Sequence, residues 1–206
     1  MNVKICGITR AEDAVLATEL GATAIGMVFW PSSPRYIDPE HARTIVEALP
    51  QHVTVVGVFV NQTMEALGIA RRIGLDAVQL HGNEPVDDYF DLPVPVIKAV
   101  PVRDTRSVTE ASAIPKHVAV LLDAYDPVRR GGTGTVADWS IAAAISRRRP
   151  VLLSGGLNPG NIADAIAAVR PNAVDVSSGV ESEPGRKDPA KLQALFAALS
   201  GVHETS

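Results

Sequence analysis

Short apolar runs alternate with helix-patterned segments along the whole chain, and this alternation constrains the fold more than any other feature. The runs are Val3–Cys6, Ala24–Phe29, Val53–Val60, Ala77–Leu80, Pro95–Val100, Val118–Leu122, Val151–Leu153 and Ala173–Val176. Helix signals fill the gaps. Thr9-Arg10-Ala11-Glu12 reads as a capping box, opening a helix that carries Ala14, Val15, Leu16 and Leu20 and stops at Gly21. Asp38-Pro39 supplies an N-cap acceptor and a first-turn proline. Asn61 reads as the cap of Met64–Ile73, which Gly74 stops. Further helices are expected near Pro85–Phe90, Asp104–Ala113, Asp138–Arg147 and Pro189–Leu199, with one more between the last two strands. Eight strands repeating at intervals of roughly 20–30 residues match βα units and a parallel sheet.

Two architectures share this alternation. A doubly wound open sheet usually has five or six strands, with ligand groups at one switch point. Here polar residues end nearly every strand, which favours a closed, single (β/α)8 TIM barrel. At 206 residues the chain is short for such a barrel, which typically needs about 250, so its loops are lean. No linker divides it: residues 1–200 form one barrel domain, and the polar residues 201–206 are expected to fray.

Composition excludes several classes. A net charge of −4 lacks the basic face that nucleic acid requires. The one dense basic cluster, Arg147-Arg148-Arg149, suits a helix C-terminus. No apolar run approaches the roughly 18 residues of a membrane span, and the N-terminus lacks a signal-peptide layout. The single cysteine, Cys6, fits a reducing cytoplasm. One Cys with scattered His has no metal-ligand spacing, so no metal is expected.

In a barrel the strand C-termini converge on one face. The chemistry-bearing candidates there are Cys6, Arg35, Gln79, His81, Asp123 and Asp175. Cys6 and Asp123 belong to the first and sixth strands, which suits a general base and a general acid on opposite sides of a small substrate. A thiol beside cationic groups has its pKa lowered, while a carboxyl in an apolar site has it raised. Each candidate also has a plainer reading: a lone cysteine as a small core residue, Asp123 as a turn cap, His81 as a hydrogen-bonded structural residue. Pro31 and Pro34 stiffen the loop holding Arg35, which suits recognition of a carboxylate or phosphate. Lys4 and Asp175 lie on strands that closure makes neighbours, so they are expected to pair inside the barrel.

The last two strands end in Ser154-Gly155-Gly156 and Ser177-Ser178-Gly179. Such turns expose backbone N–H groups, and the loops after strands seven and eight are a frequent phosphate site in barrels. The Gly131-Gly132-Thr133-Gly134 segment offers further N–H donors.

These residues carry a resemblance. Val3-Lys4-Ile5-Cys6-Gly7-Ile8-Thr9, Ser33-Pro34-Arg35-Tyr36-Ile37, Val58-Phe59-Val60-Asn61, Val78-Gln79-Leu80-His81-Gly82, Leu121-Leu122-Asp123, Gly131-Gly132-Thr133-Gly134, Leu153-Ser154-Gly155-Gly156-Leu157-Asn158-Pro159 and Val174-Asp175-Val176-Ser177-Ser178-Gly179-Val180-Glu181 run almost end to end. Together they resemble the phosphoribosylanthranilate isomerase family of tryptophan biosynthesis. The resemblance implies a cofactor-free Amadori rearrangement of N-(5-phosphoribosyl)anthranilate to the 1-deoxyribulose phosphate. It implies Asp123 as the general acid, Cys6 as the general base and Arg35 as the holder of the anthranilate carboxylate. Gly155, Gly156, Ser177, Ser178 and Gly179, helped by Gly132 and Gly134, become the phosphate grip. His81 and Asp175 line the site without an assigned step. The expected partner is a small-molecule substrate, in a monomer or homodimer. Two rival functions remain. A metal-dependent epimerase of the phosphate-binding barrels needs ligating histidines, and only His81 lies suitably. A non-catalytic phosphometabolite binder needs the grip but not both Cys6 and Asp123.

Overall fold

The computed structural model describes residues 1–62, 64–89, 92–124 and 138–203. Its barrel strands are β1 (Asn2–Cys6), β2 (Ala24–Val28), β3 (Thr54–Phe59), β4 (Ala77–Leu80), β5 (Val96–Val102), β6 (Ala119–Ala124), β7 (Val151–Leu153) and β8 (Ala173–Val176). Each pairs in parallel with its sequence neighbour, and β8 pairs with β1, so the sheet closes and the open-sheet alternative falls. Closure leaves no sheet edge with unpaired backbone groups.

The helices are α1 (Ala11–Glu19), α2 (Pro39–Ala48), α3 (Met64–Ile73), α4 (Arg106–Ala113), α5 (Trp139–Ser146), α6 (Ile162–Val169) and α7 (Pro189–His203). Between β4 and β5 the expected short helix is a single 3₁₀ turn, Val86–Tyr89. A two-stranded hairpin that the strand signals did not reveal, β9 (Glu181–Glu183) with β10 (Arg186–Lys187), follows β8. Its strands are too short and too polar to show an alternating pattern. The last helix continues to His203, and 204–206 lie outside the described residues.

Some caps form as their residues suggest. Asp38 accepts from the backbone N–H of Glu40 (2.9 Å) and His41 (3.4 Å), with Pro39 in the first turn of α2. Others do not. The N-cap of α1 is Arg10, without a side-chain cap, because the Thr9 hydroxyl donates instead to the carbonyl of Gly185 (2.5 Å). Asn61 has a left-handed backbone (φ 51°), and its Oδ1 accepts from Asn83 N–H (2.7 Å), tying two loops together. Arg149 lies beyond the end of α5. Its guanidinium donates to the carbonyls of Ala111, Ile114, Pro115 and Val118, closing the passage from α4 into β6.

Strand alternation divides the core. Val3, Ile5, Val55 and Phe59 face the helices, where the main apolar layer also holds Met27, Ile45, Leu195 and the stacked rings of Phe29 and Phe59, 5.4 Å apart. Val56, Ala77, Ile97, Ala99 and Leu121 form a second cluster within the barrel. Cys6, Val28 and Val58 form a third, backed by Trp30. Lys4 has the same parity as Cys6 and sits in register with Asp175 on β8. Its Nζ donates to Asp175 Oδ1 at 2.9 Å, both side chains being almost wholly buried. Burial works against the Lys4 charge, but Asp175 and Cys6 outweigh it and hold the ammonium above its ordinary pKa.

A buried ion pair is costly to break from one side, because the remaining charge stays desolvated. Asp175→Ala is therefore expected to lower stability by about 3–5 kcal/mol, read by denaturant unfolding. The double change Lys4→Met with Asp175→Leu should cost less than Asp175→Ala alone. The reverse order would contradict this account of the pair.

Candidate active site

The C-terminal ends of the strands open into a cavity of about 530 Å³, within the range of a small-molecule site. Eight of the residues named from sequence share its wall: Cys6, Arg35, Gln79, His81, Asp123, Ser154, Asp175 and Ser177. They come from β1, the loop after β2, β4 and the turn after it, β6, the turn after β7, β8 and the turn after β8. Gly155, Gly156, Ser178 and Gly179 lie in the loops after β7 and β8, beside this wall rather than in it. Gly132 and Gly134 lie outside the described residues.

Cys6 ends β1 pointing inward, by the same parity that buries Lys4. The absence of a side chain on Gly26 of β2 makes room for both. A Cβ there would lie 2.7 Å from Cys6 Sγ and 3.0 Å from Lys4 Nζ, so thiol and ammonium converge on one spot. Burial pushes the Cys6 thiol above its ordinary pKa. Lys4 pulls it back, Asp175 raises it, and Lys187 on β10 pulls it back again. The lowering expected from nearby cations is present, but desolvation exceeds it.

Asp123 ends the apolar stretch of β6 and is held by a short relay. Gln79 Nε2 donates to His81 Nδ1 at 2.9 Å, leaving His81 Nε2–H to donate to Asp123 Oδ2 at 3.2 Å. Gln79 Oε1 is then buried without a partner. Below it, the Glu84 carboxylate accepts from Asn61 N–H, Gly82 N–H and Lys98 Nζ, bracing the turn that carries His81.

Arg35 is only 9% exposed. The proline-stiffened loop brings it to the mouth, but Glu181 sets its direction. Nε donates to both carboxylate oxygens (2.9 and 3.1 Å), and Nη2 donates to Oε2 at 2.6 Å. Glu181 also accepts from Lys187 Nζ at 2.8 Å. Although burial opposes its charge, Arg35 and Lys187 hold the Glu181 carboxyl below its ordinary pKa. Sequence reading missed both Glu181 and Lys187 as parts of the site, and no spacing rule would have found them. Trp30, Val28 and Val58, which give the cavity an apolar wall beside Cys6, were likewise legible only as strand and loop residues.

The two glycine-rich turns meet. Gly155 and Gly156 take positive φ (90° and 66°), and the carbonyl of Gly156 accepts from the side-chain amides of Asn158 (3.2 Å) and Asn161 (3.0 Å). A side chain on Gly179 would collide with the carbonyl of Leu157, so the turn after β8 packs directly on the loop after β7. Consecutive glycines here let two backbones approach closely enough to present N–H groups side by side.

The arrangement offers one thiol, one imidazole-oriented carboxyl, a fixed guanidinium and paired backbone turns around a half-apolar cavity. Among the described residues, no group of three or more His, Cys, Asp or Glu could hold a metal ion. No helix among them is long and apolar enough to cross a membrane.

Known proteins are similar to this chain in sequence and fold. The sequence model described as N-(5'phosphoribosyl)anthranilate (PRA) isomerase matches residues 3–198. The N-(5'-phosphoribosyl)anthranilate isomerase of Citrifermentans bemidjiense is 50% identical over 202 residues, 98% of each chain. That of Geobacter metallireducens is 49% identical over 95% of this chain and 97% of its own. The crystal structure of phosphoribosyl anthranilate isomerase from Thermotoga maritima superposes with a TM-score of 0.91, at 46% identity, covering 98% of this chain and 99% of that one. A phosphoribosyl anthranilate isomerase crystallised with reduced 1-(o-carboxyphenylamino)-1-deoxyribulose 5-phosphate superposes at 0.87 and 44% identity, with the same coverage. Barrel, cavity and near-complete similarity over 196 of the 206 residues, from 3 to 198, agree: the chain belongs to the N-(5'-phosphoribosyl)anthranilate isomerase family.

Proposed function

We infer that the family's isomerisation takes place in this cavity, with Asp123 as general acid and Cys6 as general base. The chain is an isomerase of tryptophan biosynthesis, converting N-(5'-phosphoribosyl)anthranilate to 1-(2-carboxyphenylamino)-1-deoxyribulose 5-phosphate. The observation that supports these roles best is that one cavity wall holds both Cys6 and Asp123.

Asp123, oriented by His81, donates a proton to the furanose ring oxygen. The C1–O bond breaks as the anilino nitrogen forms a double bond to C1, giving a Schiff base. The Cys6 thiolate then removes the proton from C2. Those electrons form a C1–C2 double bond, and the C=N pair returns to nitrogen. The enol loses its hydroxyl proton and gains one at C1, leaving the ketone. Atoms and electrons balance within the substrate, and its own nitrogen is the electron sink. Lys4 lies where it stabilises the thiolate, and Asp175 holds Lys4.

The substrate's two ends are held apart from the reacting carbons. Arg35 takes the anthranilate carboxylate, with the ring against Trp30, Val28 and Val58. The backbone turns at Gly155-Gly156 and Ser177-Ser178-Gly179 take the phosphate. Remote binding of this kind orients the sugar between acid and base. Arg35 also meets the carboxylate of Glu181, so the guanidinium enters the complex already aligned.

Cys6→Ala and Asp123→Asn are each expected to lower kcat by at least about 10²-fold, the low end for losing acid–base catalysis. The fluorescence decay of phosphoribosylanthranilate reads this directly, and near wild-type turnover in either variant would refute that residue's role. Arg35→Ala should raise KM for this substrate and leave a phosphoribosylaniline analogue, which lacks the carboxylate, nearly unaffected. An equal penalty on both substrates would remove Arg35 from carboxylate recognition. Because burial raises the Cys6 pKa, its thiolate fraction is still increasing above the ordinary thiol midpoint. Alkylation of Cys6 by iodoacetamide in the substrate-free protein should therefore keep accelerating past about pH 8.5. A plateau below that pH would contradict the electrostatic account.

A further inference from the structure

The mouth of the barrel contains a buried cation that the chemistry above does not use. Lys187 ends the β9–β10 hairpin, 181 residues from Cys6, and its side chain is fully buried. Its ammonium makes three hydrogen bonds: to the carbonyl of Cys6 at 2.6 Å, the carbonyl of Ser177 at 3.2 Å and Glu181 Oε1 at 2.8 Å. Three donors meet three acceptors, which satisfies a lysine completely. Each acceptor belongs to a different part of the proposed site. Cys6 carries the base, Ser177 begins the phosphate turn, and Glu181 holds Arg35.

We propose that Lys187 is a positioning residue for the isomerisation, locking the end of β1, the turn after β8 and the Arg35 guanidinium into one mutual geometry. The proposal rests on the roles given above to Cys6 and Arg35. Glu181 is the bridge, gripping Arg35 with both oxygens while Oε1 accepts from Lys187. Arg35 in turn lies across Gly7, the residue after Cys6, where a Cβ would meet its side chain. The lysine is itself fixed from behind. Its backbone N–H donates to Asp13 Oδ2 of α1 at 2.9 Å. The next residue, Asp188, donates its N–H to Val180 (2.8 Å) and caps α7 through Ala190 N–H (2.9 Å).

A desolvated ammonium at this place is expensive. Burial pulls the Lys187 pKa down, against the raising effect of Glu181. A structural tie between a hairpin and a barrel needs no charge, since apolar packing in its place is often neutral or stabilising. The charge has a use here, because it organises carbonyls and a carboxylate with fixed directions. The charged groups facing Cys6 are Lys4 from β1, Asp175 from β8 and Lys187 from β10, so Lys187 also adds to the positive potential at the thiol.

The test compares Lys187→Met and Glu181→Gln with the wild type, each assessed for folding by circular dichroism and cooperative unfolding. In folded Lys187→Met, kcat for phosphoribosylanthranilate is expected to fall by about 10²-fold, the cost of misplacing reacting groups by an ångström. Cys6 alkylation at pH 8 should slow by at least about threefold, because a cation that favours the thiolate is gone. Glu181→Gln leaves Lys187 on Cys6 and Ser177, so KM is expected to rise at least about tenfold with a smaller change in kcat, as removal of substrate binding does. Folded Lys187→Met with wild-type kcat and alkylation rate would overturn the proposal, as would a loss of activity matching only the loss of folded protein. If Lys187→Met does not fold, Glu181→Gln decides: unchanged KM for the anthranilate substrate would overturn the coupling to Arg35. Alkylation is read without substrate, so it still decides the role of Lys187 if the wild type fails to turn over phosphoribosylanthranilate.

Discussion

Closure of β1 onto β8 is the constraint from which the rest of the site follows. Until those strands pair, Lys4 and Asp175 are 171 residues apart in the chain. Once paired, they stand in register inside the barrel at 2.9 Å. Strand parity then sends Cys6 to the mouth on the same face as Lys4. It also places the turn after β8, with Ser177, beside the end of β1. Thiol, stabilising ammonium and proposed phosphate turn are thus consequences of one register.

Charge burial runs through the whole mouth. Lys4 with Asp175, and Arg35 and Lys187 with Glu181, are held in surroundings where an unpaired charge would be very costly. Such groups are satisfied only in fixed directions, so they resist the small displacements that apolar packing tolerates. At Cys6 desolvation outweighs charge: burial raises the thiol pKa, Lys4 and Lys187 lower it, and Asp175 raises it. A base that is desolvated yet flanked by cations is reactive once ionised and does not ionise in bulk solvent's terms.

The eight strands, and the residues at their ends, were legible because the pattern is local. In a run such as Val118–Leu122, Val120, Leu121 and Leu122 are buried on alternate faces, and the polar residue that follows lies at the rim. Asp123 and Cys6 could therefore be placed opposite one another, and the short β7 and β8 could be bounded to the residue. β5 and β6 each run two residues past their expected ends, to Val102 and Ala124, and some side chains read as helix-end groups found other partners. Thr9 left its capping box for Gly185, Asn61 accepts from Asn83, and Arg149 served α4 rather than α5. The Glu181–Lys187 hairpin escaped notice because three polar residues facing two carry no periodicity.

The sequence by itself determined the barrel and the candidates at its rim. Alternation, helix stops and strand-end residues act over a few positions, and their energetics are local. Only the tertiary structure decided which partners each candidate has. The direction of Arg35, the relay from Gln79 through His81 to Asp123, and the lysine that joins Cys6, Ser177 and Glu181 depend on contacts between segments up to 181 residues apart. Such contacts exist only after closure, when the conformational entropy of the intervening chain has been lost and buried polar groups must be satisfied within reach.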